Sequence, residues 1–387
     1  MLAAVARPFA IPELDDVARS PDNRAMHSLS FHAGPRALAQ LRAHGLRAQD
    51  VAIIPAAAGG PKGLIFQALD QYLFGAWLAQ APRERALIGS SIGAWRMAAA
   101  CHVDPVAAFA RLGQLYTGQR YASAKPTPHD IDLVCKQLLQ GFVGGYEQEV
   151  VNHPHYRLHL LTVRGMRALA APAHRRAELA GFAQAALLNI GARAGLARML
   201  ERVVMSDARG APAWMSEQFD SFTTHFSTLD ASNLGTALLA SGTLPLVMQA
   251  VPGVPGAPPG SYWDGGIIDY HLALPYARLP ASEIVLYPHF TEHIVPGWLD
   301  KGLPWRRAAR GPNRSWLDNV LIVAPTAAFL RTLPRNKLPD RKDFTHYGLD
   351  HDARISAWTQ AMGQGERLRD EFAAFAAKPD LSRIKPL

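Results

Sequence analysis

Between Val51 and Cys101 the chain runs twice through one order of elements: a short apolar run, a turn of small residues, and a stretch with helical spacing. The first run, VAIIP from Val51 to Pro55, reads as a buried strand, and Ala58-Gly59-Gly60-Pro61-Lys62-Gly63 follows it. From Gly63 to Trp77, Ile65, Leu69, Tyr72 and Ala76 recur at helical spacing with Leu64, Ala68 and Leu73 beside them, the wide stripe of a mostly buried helix. The second run is Ala86-Leu87-Ile88, followed by Gly89-Ser90-Ser91-Ile92-Gly93 and a helical stretch from Ile92 to Cys101. Alternation of this kind predicts an α/β fold with a mainly parallel sheet and helices on both faces.

Later strands are expected at Arg157 to Val163, Phe222 to Thr228, Ile284 to Tyr287 and Val320 to Val323. A final helix is expected from Asp352, carrying Ile355, Trp358, Met362, Leu368, Phe372 and Phe375. Arg175 to Met205 mixes Leu179, Phe182, Leu187, Leu188, Leu196, Met199 and Val203 with Arg193, Arg198 and Arg202. It reads as a packed helical insertion; a cap over the site and an interfacial helix are the alternatives. The Pro/Gly-rich Val251 to Gly260 reads as a loop. The organisation expected is an N-terminal extension over 1–50, a main domain over 51–290 with the insertion near 175–205, and a basic, aromatic-containing C-terminal region over 291–387 packed on the same domain.

The charge is unevenly spread. Lys301 to Lys342 holds ten Lys/Arg and two Asp, so its net +8 equals the formal excess of the whole chain. Trp305, Trp316 and Phe329 lie within it and Trp298 just before it. Basic and aromatic residues interleaved like this suit contact with an anionic membrane surface, and equally a solvated basic face. No nucleic-acid-binding motif accompanies them, so a nucleic-acid partner is not expected. With 49% hydrophobic and 19% charged residues, the chain has the composition of a globular protein with a sizeable core. Met1 to Ala10 is too short for a signal peptide and is broken by Arg7 and Pro8, and no apolar run reaches the ~18 residues of a membrane span. The location expected is cytoplasmic, with peripheral membrane contact as the variant. Cys101 and Cys135 give no disulfide framework, and Cys101 reads as a buried, inert thiol. Oligomeric state is not legible.

The chemistry centres on the G-x-S-x-G at Gly89 to Gly93. Glycines there permit a tight strand-to-helix turn that lifts a serine hydroxyl clear of the backbone, which makes Ser91 the candidate nucleophile. A serine hydroxyl needs a base, and acyl transfer needs backbone N–H groups aimed at the developing oxyanion. Pro61 has no N–H, so the amides of Gly59 and Gly60 are the candidate donors, at the N-terminus of the following helix. Lys62 either adds positive field there or is simply solvated. The loop lacks the full pattern of either nucleotide-binding glycine motif. For the base, His271, His289 and His293 would suit a Ser-His-Asp arrangement, while Asp264, ahead of Gly265 and Gly266, sits in a D-G-G that on its own is a common turn. His153, His155 and His159 have loose metal-like spacing without a carboxylate or thiol nearby, and no metal or other cofactor is expected.

Three blocks, AAAGGPKGLIFQAL, IGSSIGAWRMAA and YWDGGIIDYHLALP, occur in this order and resemble the signature blocks of the patatin-like phospholipases. LLASGTLPLVMQAV, Leu238 to Val251, is similar to the segment ahead of the family's D-G-G block. The resemblance spans roughly Val51 to Pro275. It implies a three-layer α/β/α sandwich with helical additions, a Ser-Asp dyad of Ser91 and Asp264, and an oxyanion hole in the glycine loop. Gly89 and Gly93 shape the nucleophile turn, with Lys62, Gly63, Gly265 and Gly266 in support. The implied activity is hydrolysis of carboxylic esters of phospholipids or other glycerolipids through an acyl-serine. A soluble esterase or thioesterase with the same dyad, or a non-catalytic lipid-binding scaffold, is the alternative. The chain departs from the family at Ala58, where the family's loop has its first glycine.

Overall fold

The computed structural model describes residues 27–210, 212–308 and 313–387. Ten strands build one mixed sheet: β1 (Leu29–Ala33), β2 (Val51–Ala56), β3 (Arg85–Ser90), β4 (Tyr156–Gly165), β5 (Leu200–Asp207), β6 (Thr224–Leu229), β7 (Tyr262–Asp264), β8 (Ile284–Pro288), β9 (Val320–Pro325) and β10 (Ile384–Pro386). Their order is β10-β1-β9-β8-β2-β3-β4-β5-β6, with β7 joined to β4 off this path. Antiparallel pairing occurs at β1–β9, β4–β5 and β4–β7; the other pairs are parallel. The α/β class and the mainly parallel sheet therefore hold. Every residue of β8 and β9 is buried, which is why IVLYP and VLIVAP read as continuous apolar runs rather than alternating ones.

The helix Ile92–Ala100 is buried along its whole length and packs on β2, β3 and β4; its run of alanines lets it lie close to the sheet. The helix Leu234–Gly242 packs beside it on β4 and β7. The helix Pro35–His44 packs on β1, β8 and β9. No helix among the described residues is long and apolar enough to cross a membrane. Met1 to Ala10, read above for a signal peptide, lies outside the described residues.

Four expectations change. The stretch Gly63 to Trp77 is not one regular helix: a 3-10 turn (Gly60–Phe66), an α-helical turn and a half (Gln67–Tyr72) and a π-helical segment (Leu73–Trp77) follow one another. The first fifty residues are not simply an extension, since β1 enters the sheet between β10 and β9. The insertion near 175–205 is helical only over Arg175–Gly191 and Arg193–Leu196; Leu200–Asp207 is strand β5. Arg202 suggested an amphipathic helix there, but in β5 it is buried against two carboxylates, Asp269 and Asp220. The last helix is capped by Asp350 and not Asp352, and it breaks in two at Gly365, where a Cβ would stand 2.4 Å from the Ile65 carbonyl oxygen.

The insertion does pack, over a small apolar core of its own in which Phe182 meets Trp263 edge-on at 5.3 Å. Its outer face leaves Leu179, Leu187 and Ile190 exposed.

Candidate active site

Strand β4 sets the spacing of the two halves of the site. Along one edge it pairs with β3, and Ser90 lies opposite Leu161. Its other edge is taken by β5 from His159 to Gly165, so β7 must join the β3 edge, where Asp264 lies opposite Thr162. Neighbouring positions on a strand are about 3.3 Å apart. The end of β7 therefore delivers Asp264 beside the residue that follows Ser90, which is Ser91. The Ser91 hydroxyl lies close enough to the Asp264 carboxylate to favour its charged form.

Ser91 has φ 57° and ψ −131°, a backbone conformation that non-glycine residues rarely adopt. Close packing on both sides holds it. A Cβ on Gly93 would stand 1.9 Å from the Ala56 carbonyl oxygen, and one on Gly89 would stand 2.5 Å from Ala94 Cα. Those contacts give the physical reason for both glycines of the G-x-S-x-G.

Asp264 is buried, with 4% of its surface exposed. Its carboxylate accepts the Gly266 amide at 2.7 Å, and its own amide donates to the Thr243 carbonyl at 2.7 Å. Burial raises its pKa above the ordinary aspartate value, and the Ser91 hydroxyl, the Gly266 amide, Arg341 and Lys301 oppose that rise. A raised carboxylate is a better proton acceptor than an ordinary one. Gly265 is required by space: its Cβ would meet the Leu161 carbonyl oxygen at 2.2 Å. At Gly266 a Cβ would meet Ala58 Cβ at 2.6 Å and Asp264 Oδ1 at 2.9 Å.

That contact also accounts for Ala58. Its methyl group occupies the space left by the missing Cβ of Gly266, and Ala58 is not among the residues with positive φ. The Ala58 amide donates to the Tyr270 carbonyl at 3.0 Å and is unavailable to a substrate. Among the described residues no backbone acceptor takes the amides of Gly59 and Gly60. Gly60 has φ 57°, and a Cβ on Gly59 would collide with the Phe290 ring at 2.7 Å. Gly63 lies under Arg96 and Ile92. The amides of Ile92 and Gly93, in the first turn of the nucleophile helix, also lack a backbone acceptor, and the sequence reading did not name them.

Arg96, on the nucleophile helix, forms a buried two-pronged pair with Asp70, both N···O distances being 2.8 Å. The pair ties that helix to the segment after the glycine loop. A second buried pair, Arg202 with Asp269 at 2.6 and 2.9 Å, anchors the chain just after the D-G-G turn to β5.

Of the late histidines, His271 and His289 bond to backbone amides away from Ser91. His271 Nδ1 stands 3.1 Å from the Val295 amide, and His289 Nδ1 stands 3.2 Å from the Thr291 amide. Burial lowers both, His289 to about 3, so both are neutral at physiological pH. His153 accepts the His155 and Tyr156 amides at the start of β4, whereas His159 is buried within that strand opposite Ser206. Among the described residues no group of three or more His, Cys, Asp or Glu gathers as for a metal. Cys101 is buried, and burial raises its thiol pKa well above the ordinary value.

Some cations of the basic segment 301–342 are held by carboxylates. Arg306 pairs with Asp300, and Arg335 and Lys337 pair with Asp343. Lys301 and Arg341 instead act electrostatically on Asp264. Lys62 lies half-buried with its ammonium 4.9 Å from the Phe290 ring centre, and burial lowers its pKa. It is not a freely solvated lysine. Nothing in the spacing of Lys301 and Arg341 pointed to the site, because residues 291–387 carry no signature block.

The chain matches no protein-family model, and comparison with curated proteins finds no match.

Proposed function

We propose that the chain is a serine acyl hydrolase cleaving carboxylic esters of phospholipids or other glycerolipids, with a patatin-like arrangement of its α/β/α layers. The observation that carries this reading is the strained Ser91 turn set beside a buried Asp264 by neighbouring positions of β4. In the mechanism that follows, Asp264 takes the Ser91 proton as Oγ attacks the ester carbonyl. The amides of Gly59 and Gly60 hold the oxyanion. The C–O bond to the alcohol breaks, the alcohol leaves with the proton from Asp264, and acyl-Ser91 remains. Asp264 then deprotonates a water that releases the fatty acid and regenerates the serine.

Action at a lipid surface is supported by the exposed Leu179, Leu187 and Ile190 on the insertion helix. Exposed Trp305 and the partly exposed Trp298 lie in the segment joined to that helix through Asn189 and Asp300. Apolar groups left in water beside basic ones suit a peripheral site on anionic bilayers.

The test is fatty-acid release from anionic vesicles and from a short soluble ester by wild type, Ser91→Ala and Asp264→Asn. Loss of activity in both folded variants is expected, and the vesicle-to-soluble ratio separates a lipase from a soluble esterase. An active Asp264→Asn protein, or an inactive wild type, would overturn the reading.

A further inference from the structure

The helix Arg175–Gly191 has two different sides. Its outer side leaves Leu179, Leu187 and Ile190 in water. Its inner side carries Glu178, Phe182 and Asn189, a spacing that keeps them on one helical face. Two of these inner residues reach the neighbourhood of the base. Phe182 meets the ring of Trp263, the residue before Asp264, edge-on at 5.3 Å. Glu178 is buried, and its Oε1 accepts the Leu246 amide at 2.9 Å. Arg175, one turn earlier, donates to the Leu246 carbonyl at 3.2 Å. Leu246 has φ 63°, a left-handed conformation that a leucine keeps only where its surroundings impose it. The first turn of the helix thus holds both backbone polar groups of one strained residue.

The segment 243–251 that contains Leu246 is an arch joined to β7 at both ends. At one end the Thr243 carbonyl accepts the Asp264 amide at 2.7 Å. At the other, Val251 and Tyr262 exchange backbone hydrogen bonds of 3.1 and 2.8 Å. Between Leu246 and Val251, Asp132 holds the Gln249 amide, 3.3 Å from each carboxylate oxygen. Both ends of the arch therefore stand on the strand that finishes in Asp264. If the helix draws away, Leu246 relaxes to an ordinary φ and the Thr243 carbonyl moves with it.

The insertion is basic as well as apolar on its outside. Residues 166–199 hold five Arg and one Glu, and that Glu is the inward-turned Glu178. Arg167, Arg175, Arg176 and Arg198 are exposed. Exposed apolar side chains accompanied by arginines match the interface of an anionic bilayer in both charge and polarity.

We propose that the insertion helix couples lipid contact to the base: an anionic bilayer that takes up Leu179, Leu187 and Ile190 pins the helix, and Glu178 and Arg175 then hold Leu246 and, through Thr243, keep Asp264 in place beside Ser91. Glu178 is here a positioning residue that touches no substrate. The strain at Leu246 favours release of the arch when nothing holds the helix, and a bilayer that binds the pinned helix shifts the balance back. This rests on the acyl-hydrolase reading of Ser91 and Asp264, but the coupling can be measured without turnover.

The experiment has two arms. In the first, kcat and KM for a short soluble ester are measured with and without vesicles of ether-linked phosphatidylglycerol, which contain no carboxylic ester. Wild-type kcat is expected to rise at least fivefold with vesicles, with KM little changed. Glu178→Ala, which removes the acceptor, is expected to lose that rise, and Glu178→Gln, which keeps an acceptor oxygen, to restore most of it. Leu246→Gly, which takes the left-handed conformation without strain, is expected to reach the vesicle-bound wild-type kcat in free solution. In the second arm, hydrogen exchange of the 243–251 amides is followed in the folded Ser91→Ala protein. Anionic vesicles are expected to slow exchange at Leu246 at least fivefold, and phosphatidylcholine vesicles to leave it unchanged. A wild-type kcat that vesicles do not raise, or a Glu178→Ala protein that responds like wild type, overturns the proposal, as does exchange at Leu246 that anionic vesicles leave unmoved. Slowed exchange without hydrolysis of any ester would instead sink the acyl-hydrolase reading and leave the coupling standing.

Discussion

Ser241 holds the backbone of Ser91: the Ser91 amide donates to Ser241 Oγ at 2.9 Å, and that hydroxyl donates to the Leu161 carbonyl at 2.7 Å. Ser241 is fully buried and lies on the helix Leu234–Gly242, and Leu161 is the β4 residue opposite Ser90. One hydroxyl thus joins the nucleophile turn to the strand that positions Asp264. Ser241→Ala leaves the Ser91 amide unpaired in the interior, at about 1–3 kcal/mol. The expected result is a lower denaturation midpoint and a kcat reduced about tenfold with KM little changed. A kcat equal to wild type would show that the turn holds its geometry without Ser241.

Asp264 places function and stability in opposition. Its folded pKa is raised by burial, so the native state binds the proton more tightly than the unfolded chain does. Its contribution to stability is therefore complete below the ordinary aspartate value and is lost as pH rises through the raised folded value. Asp264→Asn removes the charge, while its side-chain oxygen can still accept the Gly266 amide. The variant is expected to be inactive at every pH. Its Tm at pH 8 should exceed that of wild type, and the gap should close as pH falls below about 4. A variant less stable than wild type at pH 8 would contradict the assigned direction. On neutral esters, wild-type activity should fall on acidification at a pH above the ordinary aspartate range.

The parts of the site legible in the sequence are those built from local backbone geometry. Gly89, Gly93, Gly265 and Gly266 are each demanded by a carbonyl or side chain within 3 Å of a would-be Cβ, and so they leave a fixed trace in the chain. The strands near them were legible because they are short, apolar and bounded by turns. Lys301 and Arg341 were not, because they reach the dyad from a segment with no local pattern, and a basic residue at a site looks the same in sequence as one in solvent. Strand β5 was misread for a related reason: Arg202 is buried by long-range partners, Asp269 and Asp220, that no local window contains. Likewise β1 joins the sheet beside β9, almost three hundred residues later in the chain, a pairing that hydrophobic spacing cannot announce.

Ala58 and Gly266 share one space, which predicts a compensating pair. Gly266→Ala would place a methyl group 2.6 Å from Ala58 Cβ and 2.9 Å from Asp264 Oδ1, shifting both the glycine loop and the base. The expected loss is at least tenfold in kcat, with about 1–3 kcal/mol of destabilisation from overpacking. Adding Ala58→Gly removes the loop side of the clash but leaves the Asp264 side. The double variant should therefore recover most of the stability and only part of kcat. Full recovery of kcat would place all of the damage in the loop.

The buried Asp70–Arg96 pair separates positioning from stability in another way. It links the segment after the glycine loop to the nucleophile helix, and Arg96 also covers the Phe66 ring at 4.8 Å. Asp70→Leu strands the guanidinium in the interior and should cost about 3–5 kcal/mol, measured by urea unfolding. Apolar replacement of both partners, Asp70→Leu with Arg96→Met, removes the stranded charge and should return most of that loss. If the pair only contributes to stability, the double variant will regain wild-type kcat. The directional contacts argue for the other result. Two hydrogen bonds at 2.8 Å fix the rotation of one segment against the other, and Leu against Met cannot. Stability should then return while kcat stays reduced several-fold, with the defect in the geometry between the Gly59 and Gly60 amides and Ser91.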